Sequence, residues 1–246
     1  GDLTLSTNIN AAGTGVGDGG TVRLTNNSSK IIVVNQPINV NAGTTGNGGQ
    51  IFVQNYGNGP ANGGIDVQTI LKADASGSGS GGTVSIDACP TVGVAGAVNI
   101  GVTPFSANGA GVGNGGLIQI KGSQITDTVG SAINLTANAG TTGAGGTINL
   151  AAKSATGDIA FGSGAGAFTA SAQGGSTSGN GGTISAVAGR NIDVPNAGGS
   201  IAVNPLGGNS NGGSITLSAG NSAAGIVSIG SSLNANGTGS GNGGTI

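Results

Sequence analysis

Apolar and polar residues alternate in short bursts along this chain, and each burst restarts after a pair of glycines. Thr21-Val22-Arg23-Leu24, Gln50-Ile51-Phe52-Val53 and Thr83-Val84-Ser85-Ile86 are the first three. Leu117-Ile118-Gln119-Ile120, Thr147-Ile148-Asn149-Leu150 and Ser214-Ile215-Thr216-Leu217 follow, with Ala186 weakening the copy that begins at Thr183. Period two with β-branched residues predicts a strand with one buried face. The second position of this strand, strand one, defines a candidate core column: Val22, Ile51, Val84, Ile118, Ile148, Ile184 and Ile215.

Two further alternations accompany it. Leu3/Leu5, Ile32/Val34, Ile65/Val67, Val98/Ile100, Ile159/Phe161, Ile192/Val194 and Val227/Ile229 predict strand two, with an irregular copy near Ile125. Strand three carries Ile9, Ile38, Leu71, Phe105, Leu135 and Leu233, each followed two residues later by Ala or Val. Its other two copies shift by about a residue, to Ala170/Ala172 and Ile201/Val203. The first glycine of each pair falls at Gly19, Gly48, Gly81, Gly115, Gly145, Gly181, Gly212 and Gly243, a mean spacing of about 32 residues. A period of that size marks a repeat architecture.

Three short strands cannot bury an apolar face alone. Wound as one coil, each strand pairs with its counterparts in the coils above and below, about 4.8 Å away. The sequence therefore predicts an all-β fold: a β-solenoid (parallel β-helix) of about eight coils, with residues 1–246 as one array. A propeller blade needs a fourth strand and aromatic signatures. A flexible linker does not keep apolar columns in register. No 3.6-residue period supports helices. The distance from strand one to strand two varies most, which predicts projecting loops there, foremost 55–64, "NYGNGPANGG".

The glycine phrase is the expected corner, turned once per coil. Glycine reaches positive φ without steric cost. The residue before each pair forms a candidate turn column: Asp18, Asn47, Asn114, Asn180, Asn211 and Asn242. Stacked amides predict a hydrogen-bonded ladder along this edge, broken at Ser80 and Ala144.

Composition narrows the function. Glycine supplies 56 of 246 residues, aromatics only 2%, so the core must be thin and aliphatic. With 6 basic and 8 acidic residues there is no basic footprint for nucleic acid. No stretch approaches the ~20 apolar residues of a membrane helix. Cys89 is the one cysteine and there is no His, which excludes a Cys–His nucleophile and an internal disulfide. The acids Asp2, Asp18, Asp66, Asp74, Asp87, Asp127, Asp158 and Asp193 occupy different repeat positions, so neither a carboxylate-based active site nor a cofactor is expected. One Asp among eight corners excludes a continuous calcium ladder and leaves a single site open. Thr21, Thr83, Thr147, Thr183 and Thr245 form an outward row interrupted by Gln50, Leu117 and Ser214. Such a row suits strand surfaces generally and ice-binding faces in particular.

"GTTGNGGQIFV" at Gly43, "GTTGAGGTINL" at Gly140, "GNGGTISAVAGRNIDV" at Gly179 and "NGGSITLSAG" at Asn211 carry a resemblance. They resemble the repeat region of filamentous-haemagglutinin-type bacterial surface proteins, over essentially the whole chain. That family's N-terminal secretion domain has no counterpart here. The resemblance implies export to the cell surface, a long right-handed β-helical fibre, and adhesion to a host or neighbouring cell. The chain opens on strands two and three and closes on the start of strand one, which predicts end-to-end continuation or self-association. The alternative expectation is a ligand-binding solenoid that presents one outer face to carbohydrate or ice.

Overall fold

The computed structural model describes residues 1–57, 63–88, 96–101, 103–127, 132–162, 166–195, 198–220 and 224–246. Among these there is no helix. Every strand pairs in parallel with its equivalents in adjacent coils, and three sheets result. The first is seven-stranded, from Thr21–Asn26 to Ser214–Ser218, and a bridge from Ser214 to Thr245 continues it. The second is eight-stranded, from Leu3–Leu5 to Val227–Ile229. The third, also eight-stranded, runs from Ile9–Asn10 to Ser232–Asn234. These are strands one, two and three, and the molecule is a β-solenoid.

The register follows the apolar columns. Val22 pairs with Ile51, then Val84, Ile118, Ile148, Ile184 and Ile215 in turn. All seven side chains are buried, Val22 most exposed at 7%. On the third sheet Leu135 pairs with Ala170 and Ala170 with Ile201, which absorbs the two shifted copies. Identical residues stack because a shift of one residue would turn every apolar side chain to solvent.

The irregular copy near Ile125 now has a place. Ile125 pairs with Val98 and Ile159, so the coil stays in register. Asp127 then occupies the inward position held by Ile100 one coil earlier. The half-buried carboxylate survives there because its Oδ2 accepts the Gly162 N–H at 2.8 Å. Further along, Phe161 and Phe168 stack with ring centroids 4.7 Å apart and fill the turn between the second and third sheets. Beside them Leu150, Ile184, Ala186 and Ile201 help to line a small apolar space of about 10 Å³.

Strand one is longer than its four-residue alternation. Where it runs to six residues, the sixth positions stack as Asn26 on Asn55 and as Gly122 on Ala152 and Ala188, and Ala88 is buried just past the end of the five-residue copy between them. Asn55 is 1% exposed. Its Nδ2 donates to Lys30 O at 2.8 Å and Gly64 O at 3.0 Å, and its Oδ1 accepts from Gly57 N–H at 3.2 Å. The expected loop 55–64 is thus corrected at its described edges: Asn55, Gly57 and Gly63 are buried, while Tyr56 is exposed. The amide ties the segment down by satisfying backbone groups that a projecting loop would give to water. Residues 58–62, with Pro60, and Cys89 lie outside the described residues.

Candidate functional site

The glycine corner repeats most faithfully, and its chemistry starts with close approach. A Cβ on Gly48 would lie 1.9 Å from Ala73 O of the next coil, and one on Gly49 would lie 2.1 Å from Gly20 O of the previous coil. Equivalent contacts recur at Gly81 and Gly82 (both 2.0 Å) and at Gly115 and Gly116 (1.9 and 2.1 Å). The second glycine of each pair also closes its own coil: Gly49 N–H donates to Val40 O at 2.8 Å, Gly82 N–H to Ala73 O at 2.8 Å. This corrects the expectation that the pairs serve positive φ. Neither glycine of any pair has it; Gly15, Gly77, Gly111, Gly208 and Gly239, four residues before a pair, do. The pairs exist because two coils meet backbone to backbone there.

The turn column runs beside them as a hydrogen-bonded ladder. Asp18 Oδ1 accepts Asn47 N–H at 2.6 Å and Asn47 Oδ1 accepts Ser80 N–H at 2.8 Å. Ser80 Oγ accepts Asn114 N–H at 3.3 Å and Asn114 Oδ1 accepts Ala144 N–H at 2.8 Å. After Ala144 the ladder resumes, with Asn180 Oδ1 to Asn211 N–H at 2.9 Å and Asn211 Oδ1 to Asn242 N–H at 2.8 Å. Each rung joins a side chain to the backbone of the next coil. That geometry corrects the expected break at Ser80, since any side chain with an acceptor serves; Ala144 offers none.

A second ladder, unnoticed in the sequence, lies just past strand three. Asn41 Oδ1 accepts Asp74 N–H, Asp74 Oδ1 accepts Asn108 N–H and Asn108 Oδ1 accepts Asn138 N–H, at 2.8, 2.8 and 2.9 Å. Asn138 Oδ1 takes Gln173 N–H at 2.8 Å and Ser171 Oγ–H at 2.7 Å. The signal was present: Asn41, Asp74, Asn108 and Asn138 each stand seven residues before a glycine pair.

The acids do not converge. Asp2 Oδ1 takes Ile31 N–H at 3.2 Å, Asp66 binds Gln68 and Asn99, and Asp74 also accepts Ser106 Oγ–H. Asp158 pairs with Arg190 through two hydrogen bonds and accepts Asn191 N–H at 3.0 Å. The Arg190 hydrogen bond holds its carboxyl below the ordinary value of 3.8, helped by the Asn191 amide and opposed by partial burial. Among the described residues no three of His, Cys, Asp and Glu gather where a metal could bind.

The outer faces differ. On the first sheet Thr21, Gln50, Thr83, Leu117, Thr147, Thr183 and Ser214 stand in one row. Beside it Arg23 lies over the Phe52 ring, 4.4 Å from its centroid, and donates to Gln54. Where the chain enters the second sheet, a polar groove of about 690 Å³ crosses four coils; Lys30, Asp66, Asn99 and Gln124 line it, one from each.

Comparison with known proteins finds no family model, no curated protein and no solved structure that matches this chain.

Proposed function

We propose that this chain is a non-catalytic structural segment of an extracellular bacterial filament, displayed at the cell surface and able to serve adhesion. The observation that carries the reading is where the polar side chains go. Two ladders of Asn, Asp and Ser are consumed in joining each coil to the next, and no cleft gathers the acids. Such a body has one mechanical property, an axis along which identical hydrogen bonds repeat. In the working assembly the same ladders run on along that axis, through coils of one polypeptide or of stacked copies. Low net charge, -2, puts little repulsion in the way. Electron microscopy and fibre diffraction of the native material test this. Long fibres with ~4.8 Å axial spacing are the expected result. A capped monomer, with no fibre and no longer parent chain, overturns it.

The polar groove favours a second reading over a bare filament. Hydroxyls, amides and opposite charges in successive coils suit a carbohydrate, and suit it better than ice, which needs a flat face. Glycan-array binding that is lost in Asp66→Ala and Asn99→Ala variants would establish it, and no binding by the wild type would remove it.

A further inference from the structure

The ladder corners contain a reactive dipeptide. In Asn-Gly the glycine has no Cβ to hinder its amide, so that nitrogen can attack the Asn Cγ. The N–Cγ bond forms, the Cγ–Nδ2 bond breaks, and ammonia leaves with the amide proton. Water then opens the succinimide ring to Asp or to isoaspartate, whose backbone is one carbon longer. Five such pairs carry a common clamp in the structure: Asn47-Gly48, Asn108-Gly109, Asn114-Gly115, Asn180-Gly181 and Asn211-Gly212.

In each pair one residue of the next coil holds both reacting groups. Ser80 donates its N–H to Asn47 Oδ1 at 2.8 Å, and its C=O accepts Gly48 N–H at 3.0 Å. Ala144 does the same for Asn114 and Gly115, at 2.8 and 2.9 Å. Asn211 holds Asn180 and Gly181 at 2.9 and 2.9 Å. Asn138 and Asn242 serve Asn108 and Asn211 likewise. The attacking nitrogen therefore has its proton pinned to one coil, and the carbonyl it must reach is pinned to the same residue.

We propose that these five Asn-Gly pairs are spontaneous deamidation sites held silent by coil stacking, so that modification marks coils whose neighbour has opened. The two products have different fates. Asp fits the ladder, as Asp18 and Asp74 do. Isoaspartate does not, because a corner that rejects a Cβ on Gly48 has no room for an added backbone carbon. An opened coil that forms isoaspartate cannot close again, and damage becomes permanent where the stack has been weakest.

The test is peptide mapping by mass spectrometry after incubation of the whole chain at mildly alkaline pH, folded and in concentrated urea. All five pairs should deamidate at least about tenfold more slowly in the folded chain, since opening must precede reaction. Slowing of less than tenfold at the five overturns the proposal. Ser80→Pro removes one half of the Asn47 clamp and separates clamping from general rigidity. Asn47 should accelerate while Asn180 keeps its wild-type rate; Asn47 unchanged in a folded variant overturns the clamp. If the variant unfolds, Asn180 accelerates with it, and the wild-type comparison decides.

Discussion

The corner before strand one and the corner after it solve the same problem differently. Before strand one, every coil uses paired glycines for backbone contact, and an acceptor side chain takes the next coil's N–H except where Ala144 interrupts the ladder. After strand one, the described turns use different devices. Asn55 plugs one turn from inside, Asp158 and Arg190 tie two neighbouring turns together from outside, and Asn26 caps Ser28 N–H and Oγ–H within another. The first corner keeps one geometry in every coil, because both glycines of each interior pair meet a neighbouring backbone there. The second is as tight at single glycines, where a Cβ on Gly57, Gly157 or Gly189 would lie 1.9, 1.9 or 1.8 Å from a carbonyl of the previous coil, but these glycines hold no fixed distance from strand one and chain length varies around them. Repetition in sequence therefore reports steric confinement more than functional weight.

Breaking the confined side should have the largest effect. Gly115→Val puts a Cβ 1.9 Å from Ala137 O, and Ile148→Asp puts a charge with no partner into the first core column. Each is expected to cost about 4 kcal/mol or more, read as loss of the cooperative unfolding transition in urea or of soluble expression. A Gly115→Val variant of wild-type stability would show that the corner can relax, and the contrast between the corners would fail.

On the permissive side the largest loss should come from Asn55→Ala. It takes one of two donors from each of the Lys30 and Gly64 carbonyls, which keep Asn26 Nδ2 and Ile32 N–H, and removes the acceptor of the buried Gly57 N–H; about 2 kcal/mol is expected in urea melts. Asn114→Ala removes one ladder rung at an exposed position and should cost about 1 kcal/mol. If Asn114→Ala proves worse than Asn55→Ala, the ladder matters more than the plug. Asn114→Asp keeps the acceptor and should fall nearer to wild type.

The smallest effect concerns the Asp158–Arg190 brace. Asp158 is lowered in the folded state, so its contribution is fully present above pH 3.8. It is lost as pH falls through the folded value, below 3.8. Arg190→Gln should therefore lower the unfolding midpoint slightly at neutral pH and leave it unchanged in strong acid. An undiminished difference in strong acid would assign Arg190 a packing role instead.

Much of the fold could be read from alternation alone. The seven residues from Val22 to Ile215 stack in the order the glycine spacing predicts, and intervals as uneven as Val22 to Ile51 and Ile148 to Ile184 do not disturb them. The ladder past strand three was legible too, at Asn41, Asp74, Asn108 and Asn138, seven residues before four of the pairs, but an Asn in a turn looks the same whether it caps its own loop or the next coil. Asn55 was harder to see: as a polar residue beside Tyr56 and Gly57 it reads as loop. Asp127 broke the inward pattern, and nothing nearby in sequence announces its partner Gly162, 35 residues on.

The sequence by itself determined the period, the three strands and which side chains face inward, because a two-residue alternation admits one buried face and one register. Tertiary structure decided what the polar residues do. Whether a carboxamide meets its own turn, the next coil or water depends on a neighbour about 30 residues away. It also decided why the glycines are paired, since the atoms that exclude a Cβ at Gly48 belong to Ala73 in the next coil. Contacts made along the chain leave a pattern in its letters. Contacts made across coils exist only once the coils are stacked.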